Sequence, residues 1–145
     1  MSLATGLSST PPSPLTPFVL LVDDQEPCLS LLHIIVESAG YHCVSFSSGI
    51  DALVYCDMRT PQAVVTDLEL PWLNGAVLAN WLKARYPSIP LLLVTGQDLE
   101  DASIERLRST FSEILPKPVD PRRLLAVLEH SIAAPVTRGS VSGLP

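Results

Sequence analysis

The chain has 145 residues, 47% of them hydrophobic, which suits one compact domain with a little left over and is too short for two. A chain of this length buries roughly two-thirds of the surface its unfolded form exposes, so it needs no disulfide or metal merely to fold. Lys+Arg 9 against Asp+Glu 15, a net charge of -6, gives no basic footprint for gripping phosphodiester backbones and disfavours direct nucleic-acid binding by this segment.

Residues 1–17 carry no charge and hold Pro11, Pro12, Pro14 and Pro17 among Ser and Thr. Such a composition cannot repay its ordering entropy by burial and reads as a flexible leader. The opening MSLATG lacks the basic n-region and apolar core of a signal peptide. The first apolar run, FVLLV (18–22), stops at two aspartates, far short of the ~20 apolar residues a spanning helix needs. A soluble, cytoplasmic protein with no membrane contact is expected.

The globular domain is expected over 18–134, a window that holds every acid and every base except Arg138. Within it, short apolar runs alternate with amphipathic stretches. The runs are FVLLV (18–22), HCVSF (42–46), AVVT (63–66), LLLVT (91–95) and EILP (113–116). Helical spacing links Leu29, Leu32 and Val36, then Ile50, Leu53 and Val54, then Val77, Leu78, Trp81 and Leu82. It continues in Ile104, Leu107 and Phe111, and in Leu124, Leu125, Leu128 and Ile132. Asp120 followed by Pro121 reads as an N-cap with proline at the first helical position. Residues 135–145, PVTRGSVSGLP, read as a second flexible tail or linker.

The runs show little alternation, as befits strands covered on both faces. Five β-then-α units imply a parallel sheet with right-handed crossovers. The expected fold is a flavodoxin-like, doubly wound α/β domain, (βα)5, with strand order 2-1-3-4-5. Pro116 supports an edge position for the fifth strand, because a central strand cannot spare a ladder donor. Cys28, Cys43 and Cys56 are odd in number, without ligand spacing, and read as small buried hydrophobes in a reducing compartment. His33, His42 and His130 are scattered and carry no catalytic assignment.

Ligands of open α/β sheets bind outside the carboxyl ends of the strands, where the strand order reverses. Strand 1 ends in Asp23-Asp24, strand 3 in Asp67, strand 4 in Thr95, and strand 5 in Lys117 between two prolines. Taken singly, Asp24 reads as a helix cap, Asp67 as a turn cap, Thr95 as a strand end and Lys117 as a solvated lysine. Jointly they fall at one sheet edge. Strands 1 and 3 lie about 4.8 Å apart in that order, and two carboxylates ~4 Å apart repel by about 4 kcal/mol at an effective dielectric of 20. Mg2+, a hard cation using one or two carboxylates and several waters, suits an open crevice of this kind. Carboxylates, a metal, a hydroxyl and an ammonium around one cavity describe a phosphoryl site with a carboxylate nucleophile.

VLLVDD (19–24), VVTDLELPWLNG (64–75), LLVTG (92–96) and LPKP (115–118), in this order and spacing, resemble the receiver domain of two-component response regulators, the CheY-like superfamily. The resemblance covers essentially the whole globular window. It implies that Asp67 is the phospho-acceptor, taking its phosphoryl group from a histidine kinase or phosphotransfer protein. It further implies Mg2+ held by Asp23, Asp24, Asp67 and the backbone carbonyl of Glu69, with Thr95 and Lys117 on the phosphoryl oxygens. A cis Lys117-Pro118 bond is implied as well, and Gly75 is expected to permit a tight turn after Pro71. The face made by helix 4, strand 5 and helix 5 would switch, with homodimerisation through it one possibility, while the helix 1 face with Pro27, Cys28 and Leu31 would receive the partner. Such a domain is a signalling switch and not an enzyme beyond self-catalysed phosphorylation and dephosphorylation.

Three positions depart from the family pattern. Ile114 stands where a switch Tyr or Phe is usual, with Phe111 the nearby aromatic. RSTFSEILPKP (108–118) lacks the usual Gly-Ala pair, and Glu69 puts an acid two residues past the acceptor, where it is expected to alter autodephosphorylation. Trp72 is expected to be a partly buried anchor of its loop, the alternative being a partner contact. Two other functions stay open. One is a degenerate receiver that only binds protein; the other is a haloacid-dehalogenase-type phosphatase, disfavoured because Asp67-Leu68-Glu69 lacks the second aspartate and the length leaves no room for a cap domain. No output domain is visible, so the chain reads as a single-domain regulator or as a receiver from a longer protein such as a hybrid kinase.

Overall fold

The computed structural model describes residues 16–139, with side chains described as far as Ile132. Strands β1 (Val19–Val22), β2 (Cys43–Phe46), β3 (Ala63–Asp67), β4 (Leu91–Thr95) and β5 (Glu113–Pro116) alternate with helices. The helices are α1 (Glu26–Ser38), α2 (Gly49–Met58), α3 (Gly75–Arg85), α4 (Asp101–Arg108) and α5 (Pro121–Gly139). All pairings are parallel, in the order β2-β1-β3-β4-β5, as the alternation of apolar runs predicts.

Burial follows position in the sheet. β1, β3 and β4 are buried along their whole length, whereas the edge strands β2 and β5 are mostly half-buried. Alternate residues feed two cores. Leu20, Val22, Val64, Leu91 and Leu93 pack with Ala52 and Cys56 of α2 and Leu78, Ala79 and Leu82 of α3. On the opposite face Val19, Leu21, Val65, Leu92 and Val94 meet Leu29, Leu32, Ile35 and Val36 of α1 and Leu124 and Leu128 of α5. This two-sided burial is why the strand sequences show no polar alternation. Polar ties add to it: His33 on α1 hydrogen-bonds Ser45 on β2 at 3.0 Å and Glu37 at 3.1 Å, and Tyr86 donates to the Cys56 carbonyl at 2.6 Å.

Four expectations change. On α2 the inward residues are Ala52 and Cys56, while Ile50 and Val54 are 47% and 62% exposed. On α3 Leu78 and Leu82 are buried, but Val77 and Trp81 are 39% and 57% exposed. Phe111 lies beyond the end of α4 and is a core side chain, 2% exposed; α4 itself buries no residue. The domain boundary expected at 134 falls inside α5, which continues through Pro135 to Gly139. No glycine interrupts that run before Gly139, and a proline there removes a single ladder donor. Of the expected leader, residues 1–15 lie outside the described residues, as do residues 140–145 of the expected tail. Thr16 is held, its carbonyl accepting from the Arg59 guanidinium at 2.8 Å.

Candidate functional site

The sheet order puts the ends of β1 and β3 side by side, with β4 and then β5 beyond them. Asp23 follows β1 directly and is fully buried. Its Oδ1 accepts from the Gln25 amide at 2.9 Å, an Asx-type bond that turns the chain into α1. Gln25, not Asp24, is the N-cap residue of α1, so the exposed Asp24 carboxylate is not spent on capping. Asp67 ends β3 and is 6% exposed. Its Oδ1 accepts from the Leu68 amide at 2.7 Å.

Lys117 joins the two buried acids. Its Nζ donates to Asp23 Oδ2 at 2.8 Å and to Asp67 Oδ2 at 3.2 Å. The Lys117 amide donates to the Thr95 carbonyl at 2.9 Å, which fixes the lysine beside β4, and the Lys117-Pro118 bond is cis. Thr95, 4% exposed, accepts on Oγ1 from the Gln97 amide at 3.1 Å, leaving its hydroxyl proton to donate. Burial pushes the Asp67 carboxyl above its ordinary pKa, and the Asp23 charge adds to this against the pull of Lys117 and the Leu68 amide. For Lys117, burial works against the charge, but the bonds and charges of Asp23 and Asp67 outweigh it and raise the pKa. The acids thus hold Lys117 charged, whereas for Asp67 the lysine offsets only part of the cost of burial.

Glycine at 75 answers a close approach and not a turn after Pro71. A Cβ there would lie 2.0 Å from the Asp67 carbonyl oxygen, and the Gly75 amide donates to the Leu68 carbonyl at 2.8 Å. The first turn of α3 therefore presses on the residue that closes β3. At Gly96 a Cβ would meet only Lys117 carbons at 3.8 Å, ordinary contact, so space is left there. Ile114 is half-buried against the same core as Leu107 and Phe111. Trp72 is 90% exposed and lies at φ 70. It anchors nothing; Leu70, 8% exposed, with Leu68 and Leu73 beside it, ties the loop to the core.

Sequence reasoning missed two residues of the site. Gln97 donates from its side chain to Glu69 and from its amide to Thr95, so it bridges the loops after β3 and β4. Asn74 caps α3 by accepting from the Val77 amide at 2.9 Å. An Asn before an apolar helical stretch is a readable cap signal; Gln97 offered none. With Asp24, Glu69 and Pro71 these two line an open cleft of about 610 Å³ at the strand ends.

Fold and site together define a doubly wound α/β domain with an acidic, lysine-bridged pocket at its switch point. Residues 19–129 match the family model of the response regulator receiver domain, and the chain belongs to that family. It is 28% identical over 115 residues to the DNA-binding transcriptional regulator NtrC of Escherichia coli, covering 79% of this chain and 24% of that protein. It is 33% identical over 122 residues to the alkaline phosphatase synthesis transcriptional regulatory protein PhoP of Bacillus subtilis, covering 81% and 51%. The chain thus spans between about a quarter and a half of the length of these curated relatives. Among solved structures, the signal receiver domain of an HD domain-containing protein from Pseudomonas fluorescens superposes with a TM-score of 0.74 at 28% identity, covering 81% of this chain and 95% of that one. A CheY-like receiver domain from Methanospirillum hungatei gives 0.78 at 23% identity, covering 86% and 99%, a likeness of fold.

Receiver domains bind Mg2+ at the acidic pocket, and the donor set here fits that ion. Asp23, Asp24 and Asp67 can each bring a carboxylate oxygen within 4.8 Å of the others, and the Lys117 ammonium pairs with two of the three. Oxygen-only, negatively charged and open to water on the Asp24 side, this is a hard-cation set. No helix among the described residues is long and apolar enough to cross a membrane.

Proposed function

We propose that Asp67 accepts a phosphoryl group from a phosphohistidine of a sensor histidine kinase or phosphotransfer protein. The observation that carries this reading is a buried strand-end carboxylate with a lysine ammonium 3.2 Å from it and two further acids beside it. An Asp67 oxygen bonds to phosphorus, the phosphorus–nitrogen bond breaks, and the electron pair of that bond stays on the imidazole. Lys117 shifts from the carboxylate to a phosphoryl oxygen, and the Thr95 hydroxyl donates to another. Asp23, Asp24, Asp67 and the Glu69 carbonyl would hold Mg2+, whose charge when bound offsets that of the phosphoryl oxygens.

The Thr95 hydroxyl accepts from Gln97 at the start of the loop into α4, so its movement reaches that loop directly. α4 buries no side chain, which leaves little packing to resist a shift of the face made by α4, β5 and α5. The exposed Pro27 and Leu31 of α1 offer a docking face for the partner. The chain works as a phosphorylation switch in the cytoplasm, its output delivered by a further domain or partner or by pairing through the switching face.

Incubation with acetyl phosphate and Mg2+, read by intact mass, tests the reading. One phosphoryl adduct is expected, and none in Asp67→Asn. An unmodified wild-type chain under all donor and metal conditions would overturn it in favour of a binding module.

A further inference from the structure

Helix α4 is held differently at its two ends. Past its carboxyl end, Lys83 of α3 donates to the Ser109 carbonyl at 2.6 Å and the Thr110 hydroxyl donates to Asn80 of α3 at 2.9 Å. Phe111 follows at once and is buried in the core. The amino end has no such anchors. Glu100 at the N-cap makes no side-chain cap bond, and no residue of the helix is buried. Among the described residues, the hydrogen bonds that tie residues 96–102 to other parts of the chain all come from Gln97. Its side-chain amide donates to the Glu69 carboxylate in the loop after β3. Its backbone amide donates to the Thr95 hydroxyl at 3.1 Å.

Room to move lies alongside the helix. A cleft of about 410 Å³ separates α4 from α3, lined by Ala76, Asn80, Leu99, Ser103 and Leu107 among others. Gln97 lines both this cleft and the one that holds Glu69. A helix pinned at one end, with open space along its side and one polar tie at the other, has the build of a pivoting element.

We propose that Gln97 is the latch of α4. Its bond to Glu69 holds the amino end of the helix in place, and loss of that bond lets the helix pivot about residues 109–111. The trigger rests on the phosphorylation of Asp67 proposed above, and it follows from the two bonds that one residue makes. When Thr95 turns its hydroxyl proton toward a phosphoryl oxygen, the Gln97 backbone amide bonded to that hydroxyl is drawn along. The Gln97 side chain, of fixed reach, then leaves Glu69. An ionised acceptor strengthens the latch, while the exposure of Gln97 lets water replace it once the geometry slips. Gln97 is therefore a positioning residue that acts through Thr95.

Amide hydrogen exchange of residues 98–108 in the full chain reads the latch. Without phosphorylation, Gln97→Ala and Glu69→Ala are each expected to speed that exchange severalfold. Glu69→Gln, which keeps a side-chain oxygen to accept, is expected to stay near the wild type. The double variant Glu69→Ala/Gln97→Ala is expected to exchange no faster than either single one, because the same bond is broken in all three. With acetyl phosphate and Mg2+, and the adduct fraction read by intact mass, the phosphorylated wild type is expected to reach the rate of unphosphorylated Gln97→Ala. Exchange in Gln97→Ala equal to that of the unphosphorylated wild type, or additive effects in the double variant, would overturn the latch. Unchanged exchange in a wild type that carries the adduct would overturn its release by Asp67. A wild type that takes no adduct counts against the phospho-acceptor reading alone, and the unphosphorylated variants still decide whether Gln97 holds α4.

Discussion

Glu69 is the acid that the metal set and the lysine leave over. Its carboxylate takes the Gln97 side-chain amide, and both residues line the cleft that opens beside Asp67. Its charge therefore stands at the mouth through which water or hydroxide would reach Asp67 once phosphorylated as proposed. A like charge at that entrance lowers the local concentration of an anionic attacker. Glu69→Asn is expected to lose its phosphoryl group severalfold faster than the wild type when the phosphorylated forms are followed by phosphate release at fixed Mg2+. Equal decay would remove this role from the side chain and leave only the Glu69 backbone carbonyl with a part in the site. The cysteines stand apart from this chemistry. Burial, with the Glu37 charge adding to it, pushes the Cys43 thiol up to about 12, and burial raises Cys56 to about 11, so both stay protonated, poor nucleophiles at neutral pH.

At the scale of elements, the first turn of α3 presses on the end of β3 through a glycine. The 2.0 Å approach at Gly75 is to backbone, which cannot rotate away, so Gly75→Ala is expected to cost about 1–3 kcal/mol as overpacking, more than the ~1 kcal/mol that alanine gains in helix propensity. Gly96→Ala, with 3.8 Å of room, is the matched control and is expected to leave the urea midpoint nearly unchanged. A Gly75→Ala chain as stable as the wild type would mean that α3 slides freely on β3. The strands, their order and the converging acids were legible in the sequence because each is set by local pattern: an apolar run, then an acid, Thr or Lys where the run stops. The facing of α2 and α3 was not. Both helices are apolar on two sides, so a 3.6-residue period is satisfied by Ile50 and Val54 as well as by Ala52 and Cys56, and only packing against β1 and β3 selects the smaller pair. Trp72 misled for a similar reason. Its size suggests burial, but a loop residue at φ 70 points where the turn sends it, and Leu70 had already filled the anchoring position.

Across the whole molecule, the acidic pocket costs stability. Three carboxylates within reach of one another, two of them paired with one ammonium, strain a domain whose net stability is only about 5–15 kcal/mol. The Asp67 carboxyl has its pKa raised by burial above the ordinary value. Between the unfolded and the folded pKa the native state therefore binds more protons than the unfolded one, so stability falls as pH rises through that interval and stays reduced above it. Asp67→Asn removes the charge while its side-chain oxygen can still accept from Leu68, and Lys117 keeps its 2.8 Å bond to Asp23. In EDTA at pH 7 the Asn variant is expected to melt above the wild type, with the gap closing as pH falls below the unfolded carboxylate pKa. If Mg2+ binds the native state alone, it is expected to restore the wild type by about 2.7 kcal/mol at one hundred times its dissociation constant, with a smaller gain for the variant. A wild type more stable than Asp67→Asn in EDTA at pH 7 would show that the Lys117 pair outweighs the burial of these charges, and that the fold needs the acid for itself.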